Sequence, residues 1–172
     1  DLPDLTYVDR DAPLSPQQKK YYDLLKTRMT MVAAGEEVSA VNAATNINKL
    51  LQISGGAVYS DTGEVVEFDI KNRYKVLREV IDESSQKVLV FVPFKHAIDI
   101  VLEKVRAAGY SAEKIDGSVP ANKRTEIFRR FQEDEDPHVL VIQPQAAAHG
   151  VTLTAANTIV WFGPTMSVET YL

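Results

Sequence analysis

Residues 139–164 read VLVIQPQAAAHGVTLTAANTIVWFGP. Two short apolar runs, Val139 to Ile142 and Thr158 to Phe162, bracket a loop of small residues. The runs are too short for helices and rich in Val, Ile and aromatics. They predict parallel strands buried on both faces, because two covered faces demand unbroken hydrophobicity rather than alternation. The loop holds three alanines, a His, a Gly and a Thr-rich tail. Small side chains at the carboxyl end of a strand let a ligand approach the backbone, and in open α/β sheets ligands bind at that edge. The same residues also suit a plain crossover with a small-residue helix laid on the sheet.

Upstream, the pattern alternates. Val88 to Val92 is a third buried run, closed by Pro93. His96 to Ala108 carries Ile98, Val101, Leu102 and Val105 at helical spacing, with Gly109 as its stop. Tyr110 to Ile115 predicts a short strand, and Asp116-Gly117-Ser118 a turn. Pro120 to Phe131 predicts a helix that buries Ile127, Phe128 and Phe131, followed by an acidic turn, Glu133 to Pro137. Strands alternating with helices specify an α/β fold, a doubly wound parallel sheet with helices on both faces.

Residues 1–86 have a different texture and predict a helical appendage packed on that core. Leu5, Tyr7 and Val8 could lie on a neighbour. Ser15-Pro16-Gln17-Gln18 places Ser at an N-cap, Pro at the first helical position and Gln at the third. The helix should run to Gly35, a second from Ser39 to Gly55-Gly56, and a third from Ile70 to Ser84 with Tyr74, Leu77 and Ile81 on one face. Ala57 to Phe68 predicts a hairpin turning at Asp61-Thr62-Gly63.

Composition bounds the function. The chain of 172 residues suits one α/β domain with an appendage, and its 45% hydrophobic and 25% charged content is that of a globular protein. No run is apolar enough to span a bilayer, and no signal peptide opens the sequence. Cysteine is absent, which excludes disulfides and Cys-based zinc sites and suits a reducing compartment, cytoplasmic or nucleoid-associated. The net charge of -5 argues against a general polyanion binder, so any nucleic-acid contact must use a local patch. No G-x-x-x-x-G-K-[ST] phosphate loop and no G-x-G-x-x-G occurs. His96, His138 and His149 lack metal-ligand spacing, and the acidic run Glu133-Asp134-Glu135-Asp136 lacks that of a calcium loop.

Three loops follow parallel strands and so share one sheet edge: Pro93 to His96, Asp116 to Ser118, and Gln143 to Gly150. Lys95 and the helix start after Ser118 could each meet a phosphate, by charge and by free backbone N–H groups. Lys123, Arg124, Arg129 and Arg130 add charge to one helix, although such residues usually form solvated surface.

In order, KVLVFVPFKHAIDIV, EKIDGSVPANKRTEIFRRFQ and VLVIQPQAAAHGVTLTAANTIVWFGP resemble three consecutive blocks of the second RecA-like lobe of Swi/Snf-type ATPases, a branch of superfamily-two helicases. Residues 87–172 are similar to that lobe, ending before its motif VI, and residues 1–86 to the segment joining the lobes. The resemblance implies a motor that binds ATP and Mg2+ between two lobes and tracks along double-stranded DNA, without a membrane. The first lobe of the same chain would supply the phosphate-binding Lys and the metal-binding acids. Motif VI would supply an arginine finger, which the resemblance places beyond Leu172. No catalytic residue is therefore assigned within residues 1–172, and neither ATP nor metal is held by them alone. The resemblance turns Gly150 and Thr152 toward the nucleotide, and Gln143, Gln145 and Ala146 toward the DNA backbone. Lys95, Gly117 and Ser118 fall on the strand-tracking edge. Ala147 and Ala148 stand where the family has glycines, Thr152 where it has Asn, and Gln145 where it has a basic residue, so fewer charges meet phosphate. A free-standing flavodoxin-like binding module remains an alternative, as does a helicase that unwinds DNA rather than translocating on duplex.

Overall fold

The computed structural model describes residues 6–35, 40–59, 65–146 and 153–163. In chain order the elements are α1 (Pro16–Gly35), α2 (Ala40–Gly55), β1 (Ala57–Tyr59), β2 (Val65–Glu67), α3 (Lys71–Glu83), β3 (Lys87–Phe91), α4 (Lys95–Ala107), β4 (Ala112–Ile115), α5 (Ala121–Glu133), β5 (Val139–Ile142), a 3-10 turn (Pro144–Ala146) and β6 (Ala156–Trp161). The four strands β3 to β6 form one sheet in the order β4-β5-β3-β6. Every pairing in it is parallel, with Val88 opposite Val139 and Leu89 opposite Ile159.

Period-two alternation sorts the strand residues onto two faces. Val88, Val90, Val139 and Val141 pack with Leu77 and Ile81 of α3 and with Ile98, Val101 and Val105 of α4. Leu89, Leu140, Ile142 and Ile115 pack with Ile127 and Phe131 of α5. Helices therefore cover both faces, and β5 is buried along its whole length. The last strand departs from expectation. Among the described residues β6 pairs with β3 alone and alternates in exposure, and Ile159 is 59% exposed. It is an edge strand without a covering helix among the described residues, so its apolar run is not buried on both faces. Phe128 is likewise only partly buried, one step off the stripe that Ile127 and Phe131 occupy.

The appendage is tied on through helix ends. Ser15 and Gln18 complete the capping box: the Ser15 Oγ accepts the Gln18 N–H at 3.2 Å, and the Gln18 Oε1 accepts the Ser15 N–H at 3.0 Å. The Gln18 Nε2 then donates to the carbonyls of Ile53 and Ser54 at 2.9 and 3.2 Å. One buried Gln thus closes the start of α1 and the end of α2, whose terminal carbonyls have no partner of their own within the helix. Gly56 follows with φ +111, and a Cβ there would lie 2.4 Å from the Ile70 Cγ2. Only glycine gives both that backbone and that approach. β1 and β2 pair antiparallel as the hairpin requires; its turn at 61–63 and Leu5 lie outside the described residues. Tyr7 and Val8 are exposed rather than laid on a neighbour.

Candidate functional site

Parallel strands present all their carboxyl ends on one edge. The segments after β3, β4 and β5 therefore converge there, bringing Lys95, Gly117, Ser118, Gln143, Gln145 and Ala146 to the same side of the molecule. Gly150 and Thr152 lie outside the described residues. So does Leu172, and the arginine finger expected after it has no counterpart in the structure to be placed against.

Lys95 opens α4 directly beyond the end of β3. Its side chain is exposed and makes no ion pair or hydrogen bond among the described residues. Beside it, the His96 ring meets the Ala57 carbonyl at 2.7 Å. Burial holds the imidazole below its ordinary pKa, against the raising effect of that carbonyl. The start of the appendage hairpin is thus fastened next to the exposed lysine. Lys114 points to the same region but is engaged, at 2.7 Å from Asp99 and 3.2 Å from Asp116.

Asp116 is the buried acid of the edge, with no exposed side-chain surface. Its Oδ1 accepts the Ser118 N–H at 2.8 Å and the Ser118 hydroxyl at 2.5 Å. The other oxygen has no hydrogen-bond donor among the described residues and faces the Lys114 ammonium in ion-pair geometry. This is an Asx turn, in which a short acid folds the backbone that follows it. Burial pushes the carboxyl pKa up; the Ser118 hydroxyl and N–H and then Lys114 outweigh it and leave it below its usual value. Both Ser118 donors are spent on Asp116, and the Val119 N–H goes to the Asp116 carbonyl at 3.1 Å. The Gly117 N–H is the donor of the turn that faces no partner among the described residues.

A depressed carboxylate pKa stabilises the fold above the unfolded value, near 3.9, and the contribution fades as pH falls through the folded one. Asp116→Asn should therefore cost about 1–3 kcal/mol at pH 7 through loss of charge-assisted bonds. It should also flatten the fall in stability below about pH 4. Urea unfolding from pH 7 to pH 3 measures both; parallel wild-type and variant profiles would show that Asp116 does not titrate against the fold.

After β5 the chain turns in the 3-10 element. The Gln143 N–H goes to the Ile115 carbonyl at 2.8 Å and the Ala146 N–H to the Gln143 carbonyl at 2.9 Å. Pro144 is buried and Gln145 exposed. The Gln143 and Gln145 amides have no partner among the described residues. The helix cations divide sharply. Arg129 is held by Glu126 at 2.7 Å, Glu133 at 3.3 Å and Asp134 at 3.6 Å, which raises its pKa. Arg130 faces Glu113 at 3.8 Å. Lys123 is exposed and unpaired among the described residues. Arg124 turns inward instead, its Nε donating to the Val119 carbonyl at 2.7 Å and its Nη1 to the Ala146 carbonyl at 3.4 Å. Grouping the four cations as one charged helix missed this. The available signal was spacing, since Arg124 shares the stripe of Ile127 and Phe131 at i, i+3 and i+7.

A four-stranded parallel sheet flanked by helices, with its loops gathered at one carboxyl edge, is an architecture that RecA-like lobes share. The chain belongs to the family described as the helicase conserved C-terminal domain, whose model matches residues 72–172. This assignment sets aside the flavodoxin-like module. Residues of this chain are 30% identical over 88 positions to the ATP-dependent helicase FUN30 of Saccharomyces cerevisiae, covering 51% of this chain and 8% of that protein. They are 33% identical over 85 positions to the mouse DNA annealing helicase and endonuclease ZRANB3, covering 49% and 8%. Among solved structures, the C-terminal domain of a Sulfolobus solfataricus SWI2/SNF2 ATPase superposes with TM-score 0.70 at 19% identity, covering 88% of this chain and 68% of that one. The core of that ATPase in complex with dsDNA gives TM-score 0.70 at 18% identity, covering 88% and 33%.

Proposed function

We propose that this chain is the second motor lobe of a DNA-dependent ATPase that translocates on duplex, with residues 1–86 as the segment joining the lobes. The observation that carries the reading is the carboxyl edge of the sheet, where Lys95 is exposed and, among the described residues, Lys95, the Gly117 N–H and the Gln143 and Gln145 amides have no partner. Such donors suit phosphate oxygens, and phosphate contacts position a protein on DNA without reading its sequence. The dsDNA complex of a similar fold supports the choice of duplex. Gly150 and Thr152 are assigned to the nucleotide. The sequence holds no G-x-x-x-x-G-K-[ST] loop, and the resemblance assigns the ATP phosphates and Mg2+ to the first lobe. Relatives named a DNA repair protein and a nuclear protein favour a DNA-associated location over a specifically cytoplasmic one. Among the described residues no helix is long and apolar enough to cross a membrane.

The test is fluorescence anisotropy of residues 1–172 with two unrelated duplexes at several salt concentrations. Binding should be weak, equal for both sequences and lost as salt rises. Lys95→Ala should weaken both duplexes equally and make the salt slope shallower by about 0.9, one phosphate contact. Arg129→Ala should change little, because its guanidinium is already neutralised by three acids. Sequence-selective or salt-insensitive binding would exclude a backbone tracker.

A further inference from the structure

The carboxyl edge also receives a cation from the appendage. Arg73, in the first turn of α3, reaches the end of β6, where its Nη1 donates to the Phe162 carbonyl at 2.9 Å. Its guanidinium lies over the Phe162 ring, 5.6 Å from the centroid. A guanidinium carries several N–H donors in a fixed fork. Among the described residues, no second acceptor and no carboxylate meets them. Asp69, the acid nearest in sequence, is engaged instead by the Lys71 N–H at 2.9 Å. The site disfavours a cation. The side chain is partly buried, which lowers its pKa. The start of a helix repels positive charge, and the first turn of α3 holds no acid to offset it. A single bond to a carbonyl needs no charge at all, since a neutral amide donates equally well to that oxygen.

β6 lies beside β3 in the sheet, and the Phe162 N–H extends their pairing to the Phe91 carbonyl at 2.9 Å. The end of β6 that Arg73 marks is therefore one strand spacing, about 5 Å, from the end of β3, which leads to Lys95. Gly163 follows at the same point. A Cβ there would lie 3.5 Å from the Arg73 Nη1 and 4.0 Å from the Pro93 Cδ, so glycine leaves the flank of the guanidinium open. With Arg73, every strand end of the edge carries a donor: Gly117 after β4, Gln143 and Gln145 after β5, Lys95 after β3 and Arg73 at β6. We infer that Arg73 binds a backbone phosphate of the duplex at the β6 end of this edge, so that the segment joining the lobes grips the DNA together with the sheet loops. This role rests on the function proposed above. A phosphate supplies the anion that the chain withholds from Arg73, and the planar fork suits two of its oxygens. The four strand ends span roughly 14 Å, against a rise of about 3.4 Å per charge along one DNA strand. Arg73 and the turn after β4 therefore meet different phosphates.

The experiment titrates residues 1–172 with two unrelated duplexes at several salt concentrations, and separately with a fluorescent ATP analogue. Arg73→Gln keeps an N–H for the Phe162 carbonyl and removes the charge. Both duplexes should lose affinity equally, and the salt slope should become shallower by about 0.9, one phosphate contact. That change corresponds to a loss of roughly eightfold at 0.1 M salt and fourfold at 0.2 M, with the two proteins converging near 1 M. Arg73→Lys retains the charge and should hold the slope at the wild-type value. Gly163→Asp sets a carboxylate against the intact guanidinium and should reproduce the Gln loss, which decides the matter if Arg73→Gln does not fold. The ATP analogue should respond to none of these changes. Melting curves identify a purely structural tie between α3 and β6, for which the variants would melt lower while the salt slope stayed fixed. The inference is overturned by that result, by wild-type affinity and slope in Arg73→Gln and Gly163→Asp, or by Lys being as poor as Gln. It is also overturned if the ATP analogue is weakened and the duplexes are not, because the phosphate is then the nucleotide's. A wild-type protein that binds neither duplex would instead remove the proposed function, and this inference with it.

Discussion

Residues 1–172, purified alone, are expected to hydrolyse ATP no faster than a blank, with duplex DNA or without it. Phosphoryl transfer depends on placing the γ-phosphate, a metal and an attacking water together, with positive charge on the transferring group. The sequence holds no phosphate loop to cradle a triphosphate. The buried acid of the edge, Asp116, is already engaged by Ser118 and Lys114. The arginines seen at helix α5 are turned to carbonyls or acids within the lobe. An arginine finger is worth about 10³–10⁵ in rate in related systems, and the function proposed above assigns none to residues 1–172. The measurement is a coupled ATPase assay on residues 1–172 and on the same residues joined to the first lobe proposed above. DNA-stimulated turnover by residues 1–172 that survives further purification would overturn the proposed division of labour between two lobes.

Phe131→Ala should be the most damaging single substitution in α5. The ring has no exposed surface and lies with Ile115, Leu140 and Ile142 beneath the helix. Lys87 caps the same site: its ammonium lies 5.0 Å above the ring and donates to the Phe131 and Asp134 carbonyls at 2.7 and 2.5 Å. Truncation removes the buried ring and leaves a cavity that β4 and β5, fixed in the sheet, cannot close. Such changes cost about 3–5 kcal/mol. For a chain of this size that corresponds to a melting temperature lower by roughly 6–20 °C. Phe128→Ala, at a partly buried neighbour, should cost clearly less. Equal melting shifts for the two would mean that α5 is not held by the stripe containing Phe131.

Much of this was legible locally. A strand covered on both faces has to be apolar throughout, so Val88–Val92 and Val139–Ile142 announce themselves, and the strands found there, Lys87–Phe91 and Val139–Ile142, differ by at most one residue at an end. The Ser15–Gln18 capping box is written within four residues and forms as written. Parallel order follows from alternation with helices, and parallel order places the loops on one edge before any coordinates are known.

What sequence order determined by itself is therefore the list of elements, their direction and the edge where they gather, because each depends on a periodicity or a cap spanning a few residues. Tertiary structure decided which polar groups at that edge remain available. Whether Ser118 can donate to a phosphate depends on Asp116 being buried beneath it. That Lys95 has no partner among the described residues while Lys114 and Arg129 are neutralised depends on which acids the fold brings within 4 Å. The apolar run of β6 gave no sign that Ile159 would be exposed, because a strand's place at the edge is set by its neighbours. The attachments of Arg124 to Ala146 and of Gln132 to Thr154 each join residues 22 positions apart, and no local pattern carries such a bond. They exist because α5 lies across the end of β5, a juxtaposition created by burial of Ile127 and Phe131 and not by the polar residues it brings together.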